Sequence, residues 1–150
     1  MTQDMPLTLD ALRNAYVNGT TPTEIVREVY RRIEAVGDPA IFIHLRPMED
    51  VLAEAEALPE RSEAQALWGV PFVAKDNIDV AGMPTTAACP AYVYTPETDA
   101  FVVARLRAAG ALMIGKTNLD QFATGLVGVR SPYGVPKNAI DPEIVPGGSS

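Results

Sequence analysis

Hydrophobic residues recur at helical spacing in the first third of the chain. Ile25, Val29 and Ile33 stand four residues apart, so they share one face of a helix. Just before them, Thr21-Pro22-Thr23-Glu24 offers an N-cap hydroxyl, a proline at the first helical position and a glutamate placed for a capping box. Gly37 follows the last apolar turn and is suited to end a helix. The pattern therefore predicts a helix with a defined start and a defined end.

The other apolar segments are shorter and predict alternating strands and helices. Residues 68–74 form a β-favouring run that ends at a single charge, and residues 111–114 are typical of a buried strand. A helix between them would make Phe101, Val102 and Leu106 available to a core. The complete set of further predictions is a helix over 8–18, a strand over 41–45, a helix over 48–58 and a helix over 99–109. Strand, helix and strand in this order favour an α/β fold, in which helices pack on a sheet.

The character of the sequence changes near residue 67. We expect residues 1–66 to form a mostly helical N-terminal region and residues 67–150 to begin an α/β core. From residue 125 onward glycine and proline become frequent, and loops of this kind often build functional sites.

Composition and charge exclude several classes of function. Twelve basic residues against nineteen acidic ones give a net charge of −7, and such a surface repels nucleic acid and anionic lipid. Cys89 and His44 are the single cysteine and histidine, so neither an internal disulfide nor a zinc site of these residue types is expected. No apolar run approaches the ~18 residues of a membrane span, and the N-terminus lacks the features of a secretion signal. A cytoplasmic enzyme with no membrane and no nucleic-acid partner is therefore expected.

Lys75 is the first candidate for chemistry. It follows the apolar run 69–74 and precedes Asp76. Burial at the end of a strand disfavours the charged ammonium, which is the condition a lysine needs to act as a base near neutral pH. The alternative is a surface lysine that pairs with Asp76 or Asp79, since structural ion pairs outnumber catalytic lysines.

Gly147-Gly148-Ser149-Ser150 is the second candidate. Glycines allow a backbone geometry that other residues avoid, and a serine on such a turn can be presented at a fixed angle. Its backbone N–H groups can also form a nest for an anion. Taken alone, the same four residues are more typical of a flexible Gly/Ser linker or tail.

A third match is misleading. Residues 110–117 fit the phosphate-loop pattern G-x-x-x-x-G-K-[ST] letter for letter. In that pattern the loop must follow a strand, whereas here the loop positions are the strand itself and a predicted helix precedes them. We therefore do not expect Lys116 to bind a nucleotide.

Three motifs in order resemble the amidase signature family. They are Gly69-Val70-Pro71-Phe72-Val73-Ala74-Lys75-Asp76-Asn77-Ile78, Gly115-Lys116-Thr117-Asn118 and Val145-Pro146-Gly147-Gly148-Ser149-Ser150. Within that family, residues 118–128 together with 130–134 most resemble the allophanate hydrolase branch. The resemblance implies an α/β fold of the amidase-signature type, with a mixed sheet covered by helices. The resemblance also favours catalytic roles for Lys75 and Ser149 over a surface ion pair and a flexible linker.

The resemblance implies a Ser–Ser–Lys mechanism without metal or organic cofactor. Lys75 would be the general base, uncharged in the resting enzyme. Ser149, on a cis peptide after Gly148, would relay a proton between Lys75 and a nucleophilic serine, and Ser150 would support the turn. The nucleophile would attack an amide carbonyl and form an acyl-enzyme, while backbone N–H groups stabilise the oxyanion. The residues expected to line the substrate pocket are Ala123, Thr124 and Gly125.

In this family the nucleophilic serine follows the double-serine turn, so it would lie after residue 150. We therefore expect the chain to be the N-terminal portion of an amidase, inactive alone, and the longer protein to hydrolyse allophanate to ammonia and bicarbonate. The expected partner is a small-molecule amide, and a homodimer is allowed for the longer protein. The alternatives are another amidase of the family, the A-type subunit of a glutamyl-tRNA amidotransferase, or a non-catalytic fragment or pseudo-enzyme.

Overall fold

The structure, a computed structural model, describes residues 5–62 and 64–150. These residues form two compact units, each built from three segments. The first unit comprises the described residues of the segments Met1–Gly37, Arg46–Phe72 and Arg105–Ile114; the second comprises Asp38–Leu45, Val73–Ala104 and Gly115–Ser150.

The secondary structure alternates as the sequence predicted. In chain order the elements are α1 (Leu9–Val17), α2 (Pro22–Val36), β1 (Phe42–Leu45), α3 (Met48–Glu56), β2 (Pro71–Lys75), α4 (Phe101–Ala108) and β3 (Leu112–Thr117), with short 3-10 helices at Pro90–Tyr92 and Gln121–Ala123. The three strands form one sheet in the order β1-β3-β2. The predicted α/β class, with a mixed sheet and helices, is confirmed. In the part of the chain that the structure describes, no helix is both long and apolar enough to cross a membrane.

In the first unit, the predicted start and end of α2 are both confirmed. The Thr21 hydroxyl accepts from the Glu24 N–H at 3.3 Å, and the Glu24 carboxylate accepts from the Thr21 N–H at 2.8 Å. These two bonds are the reciprocal pair of a capping box. Gly37 ends the helix with a φ of 61°, a conformation that glycine adopts without steric cost.

The core of the first unit lies between α2, α3 and the first residues of β3. Its buried members are Val26, Val51, Leu52, Ala55, Leu112 and Ile114. At the edge of α2, the buried carboxylate of Glu28 binds the guanidinium groups of Arg31 and Arg32 at 2.7 and 2.6 Å. Hydrogen bonds from Arg31 and Arg32 lower the pKa of Glu28 to about 2, so this carboxylate is ionised at neutral pH.

In the second unit, β1 runs antiparallel to β3. Phe42 lies opposite Thr117 and Leu45 lies opposite Gly115. A Cβ on Gly115 would lie 2.6 Å from the His44 carbonyl oxygen, so only glycine allows the two strands to approach this closely. His44 lies in this strand pairing, opposite Lys116.

Several predicted boundaries and one predicted face are wrong. The strand predicted over 68–74 begins later, at Pro71, because the chain turns at Gly69 with a φ of 71°. In α4 the side chains of Phe101 and Val102 are 82% and 49% exposed, although both were expected to be available to a core. The inward residue is Val103, and a helical rotation of ~100° per residue turns Phe101 to the opposite face.

Candidate active site

Lys75 and Ser149, which stand 74 positions apart in the sequence, meet in the second unit. Lys75 is the last residue of β2, and Ser149 lies on the glycine–serine turn. Both residues are half-buried, and Nζ of Lys75 donates a hydrogen bond to Oγ of Ser149. The peptide bond between Gly148 and Ser149 is cis. The structure thus brings together the two residues that the sequence motifs singled out.

The end of β3 fixes the turn that carries Ser149. The backbone N–H of Asp120 donates to the Ser149 carbonyl oxygen at 2.6 Å. The hydroxyl of Ser150 donates to the Asn118 carbonyl oxygen at 2.6 Å and lies 3.3 Å from the hydroxyl of Thr117. Ser150 therefore anchors the turn, although it is itself exposed.

The same segment also fixes the strand that carries Lys75. The carbonyl oxygen of Thr117 accepts from the Asp76 N–H at 3.1 Å, and the Thr117 hydroxyl donates to the Ala74 carbonyl oxygen at 3.4 Å. Residues 117–120 therefore bond to both neighbours of Lys75 and to Ser149 itself, so one short stretch of backbone links the positions of Lys75 and Ser149.

Asp76, the neighbour of Lys75, belongs to a buried ion pair. Its Oδ1 lies 3.5 Å from Nζ of Lys116, and both side chains are 0% exposed. Its Oδ2 accepts from the N–H and the hydroxyl of Thr86. Burial lowers the pKa of Lys116, and the nearby Asp76 carboxylate opposes that shift. The alternative, in which Lys75 pairs with Asp76, is therefore not observed, because the carboxylate of Asp76 forms its ion pair with Lys116.

Asp79, the other carboxylate considered as a partner of Lys75, is also engaged elsewhere. It accepts hydrogen bonds from the hydroxyls of Thr85 and Tyr94 at 3.0 and 2.7 Å. Lys116 donates to Thr85 and to the Pro84 carbonyl oxygen, and it lies within β3. Because Lys116 is buried in a strand and bonded on several sides, it is not placed to bind a phosphate. This agrees with the prediction that the phosphate-loop pattern at residues 110–117 is a strand and not a phosphate-binding loop.

The residues expected to line a substrate pocket lie just after β3. Ala123 and Thr124 are exposed, whereas Gly125 is buried against Asp120, and a Cβ on Gly125 would lie 2.2 Å from Cγ of that carboxylate. A recess of about 350 Å³ borders Ser149 and Ser150. Its other lining residues are Ile41, Val73, Thr117, Asn118, Leu119, Gly128, Pro136, Pro146 and Gly147. A binding role for residues 123–125 stays a prediction.

Sequence reasoning gave Asp76 and Asp120 no role in the site, and it gave Lys116 no structural role. The available signal was Lys116 itself, a charge inside an otherwise apolar strand, which requires a buried counter-charge. Asp120 gave no comparable signal, because its partners at 128 and 130 are backbone N–H groups that any sequence provides.

Comparison with known proteins gives consistent matches. A family model described as Amidase matches residues 24–150. Urea amidolyase of Saccharomyces cerevisiae is 55% identical over 111 residues, which is 73% of this chain and 6% of that protein. The A-type subunit of glutamyl-tRNA(Gln) amidotransferase from Lawsonia intracellularis is 37% identical over 100% of this chain and 32% of its own length.

Solved structures give the same result. The S177A variant of Kluyveromyces lactis allophanate hydrolase superposes with a TM-score of 0.75 and 45% identity, covering 91% of this chain and 23% of that one. Native peptide amidase from Stenotrophomonas maltophilia has a TM-score of 0.80 at 29% identity, over 99% of this chain and 32% of the other. The chain therefore spans about a third or less of the length of the relatives it matches.

Proposed function

The chain belongs to the amidase family, as its motifs predicted, and we propose that it supplies the base and the proton relay of a site that hydrolyses allophanate. The observation that carries this proposal is the hydrogen bond between Lys75 and Ser149. It joins an amine that can accept a proton to a hydroxyl that can pass one on.

The proposed reaction uses the two groups in sequence. The amine of Lys75 accepts the proton of the Ser149 hydroxyl, and Ser149 in turn takes the proton of a nucleophilic serine. The family pattern places that nucleophile after Ser150. Its oxygen bonds to the amide carbonyl carbon, the C–N bond breaks, and the relay returns the proton to the departing nitrogen, which leaves as ammonia. Water then releases the acyl group by the same route.

Allophanate is proposed as the substrate because of two observations. Residues 118–128 resemble the allophanate hydrolase branch, and urea amidolyase is more similar to this chain, at 55% identity, than the amidotransferase protein, at 37%. The amidotransferase similarity extends over the whole chain, so glutamine hydrolysis is the second candidate. Ammonia release from allophanate and from glutamine, measured side by side, distinguishes the two.

The test of the base is Lys75→Ala in the protein at the length its source organism makes. We expect amide hydrolysis to fall by roughly 10²–10⁴-fold, the range typical of a lost general base, without unfolding. The matched control is Lys137→Ala, which removes an exposed lysine of the same unit and should leave turnover unchanged. Near-wild-type turnover in Lys75→Ala would show that Lys75 is not the base. A wild-type protein that releases ammonia from neither substrate would instead support the non-catalytic alternative.

A further inference from the structure

We propose that the buried carboxylate of Asp120 is the positioning residue that holds Ser149 in line with Lys75. The inference rests on the proposed function for its catalytic meaning, whereas its geometric content, the position of Ser149 relative to Lys75, can be tested separately.

The carboxylate of Asp120 is fixed by backbone donors. It is 0% exposed; Oδ2 accepts from the Gly128 N–H at 2.9 Å, and Oδ1 accepts from the Arg130 N–H at 2.7 Å. Burial alone would raise the pKa of Asp120, but hydrogen bonds from the N–H groups of Arg130, Gly128 and Val127, together with the charge of Arg130, outweigh it and hold the pKa below its usual value. The ionised side chain of Asp120 therefore holds the loop of residues 125–130 in place through the N–H groups of Gly128 and Arg130.

The glycine–serine turn lies directly against this closed loop. A Cβ on Gly148 would lie 2.7 Å from Oδ2 of Asp120 and 2.6 Å from the Gly128 nitrogen, so no larger residue fits between them. The Gly147 N–H donates to the Val127 carbonyl oxygen at 3.2 Å. The turn thus takes its position from the loop, and the loop takes its position from Asp120.

The backbone of Asp120 completes the connection to the reacting hydroxyl. Its N–H donates to the Ser149 carbonyl oxygen at 2.6 Å, while the Ser149 side chain reaches Lys75. One residue therefore holds Ser149 by its main chain and supports the preceding glycine by its side chain. Misplacement of a reacting group by ~1 Å can lower a rate by ~100-fold, so the loss of this support should appear in turnover.

The test is Asp120→Asn in the protein at its native length. Asparagine keeps the shape, but its amide nitrogen is a donor and must face a backbone N–H of Gly128 or Arg130, which removes one of the two bonds. The matched control is Asp38→Asn, because Asp38 also binds two backbone N–H groups, those of Ala40 and Lys137, at 2.9 and 2.8 Å. The measurements are kcat and KM separately, the thermal midpoint, and a crystal structure of each variant.

We expect Asp120→Asn to lower kcat by about 10–100-fold, with KM within about twofold, and to lengthen the Nζ–Oγ separation between Lys75 and Ser149. Asp38→Asn should alter the thermal midpoint alone. A wild-type kcat in Asp120→Asn, or equal losses of kcat in both variants, would overturn the proposal. If the wild-type protein proves inactive, the proposed function fails separately, and an unchanged Nζ–Oγ separation in Asp120→Asn would still overturn the positioning role.

Discussion

Breaking the buried ion pair between Asp76 and Lys116 should be among the most damaging single changes in the second unit. The change is Lys116→Met, which keeps a long unbranched side chain and removes the charge. Nζ of Lys116 lies 3.5 Å from Oδ1 of Asp76, with both side chains 0% exposed. In the variant, Asp76 keeps its bonds from Thr86 but loses its counter-charge inside the protein.

The expected magnitude follows from this separation. At 3.5 Å and an effective dielectric constant of about 20, two unit charges attract by roughly 5 kcal/mol. Measured losses on removing one partner of a buried pair are about 3–5 kcal/mol, because the remaining charge stays desolvated. Against a total stability of ~5–15 kcal/mol for a typical domain, this loss can unfold the chain.

Urea denaturation followed by circular dichroism gives the free energy of unfolding. The control is Arg13→Met: Arg13 lies 3.7 Å from Asp10, a similar distance, but the two side chains are 51% and 91% exposed. The exposed pair should contribute below ~1 kcal/mol. The double variant Asp76→Asn/Lys116→Met should regain part of the loss, since no uncompensated charge remains. A cost for Lys116→Met as small as that for Arg13→Met would refute the argument from burial.

Two further predictions concern the glycine–serine turn and the pH dependence of stability. Gly148→Ala should lower amide hydrolysis by ~100-fold or more, because the added Cβ would lie 2.6–2.7 Å from three heavy atoms. The control for backbone strain is Gly147→Ala, since Gly147 has a φ of 97° but a Cβ there meets nothing within 4 Å. Equal effects of the two variants on turnover would contradict the steric argument. The pKa of Glu28 is about 2 when folded and 4.5 in the absence of its partners, so its stabilising contribution is complete above pH 4.5 and lost as the pH falls toward 2. Urea titrations across that range should show this loss in the wild type and a smaller one in Glu28→Gln, and identical pH profiles would contradict it.

Local patterns predicted the elements whose causes are local. The capping box at Thr21, the stop at Gly37 and the strand-forming run before Lys75 each depend on residues within a few positions of one another. The face of α4 was mispredicted because the sequence shows which residues are apolar but not which side of the helix faces the core. Phe101 is apolar and yet exposed.

The candidate site was predictable only in part. Lys75 and Ser149 were identified through the order and spacing of three motifs, since composition alone favoured a surface lysine and a flexible linker. The supporting contacts depend on separations that no local pattern records, such as the 32 positions between Asn118 and Ser150. Asp120 looked like an ordinary polar residue after a strand, because its partners are main-chain atoms.

The end of β2 and the alternation of side chains along β3 explain how one small region holds two lysines in different environments. Successive residues of a strand point to opposite faces, so Lys116 and Thr117 diverge in β3. Asp76 directly follows the last residue of β2, Lys75, and the two side chains have different partners. On one side, Asp76 and Lys116 neutralise each other in the interior. On the other, Lys75 meets the hydroxyl of Ser149, and Thr117 lies beside the hydroxyl of Ser150. Because the carboxylate of Asp76 contacts Lys116, the amine of Lys75 has the hydroxyl of Ser149 as its partner, which is the arrangement that the proposed proton relay needs.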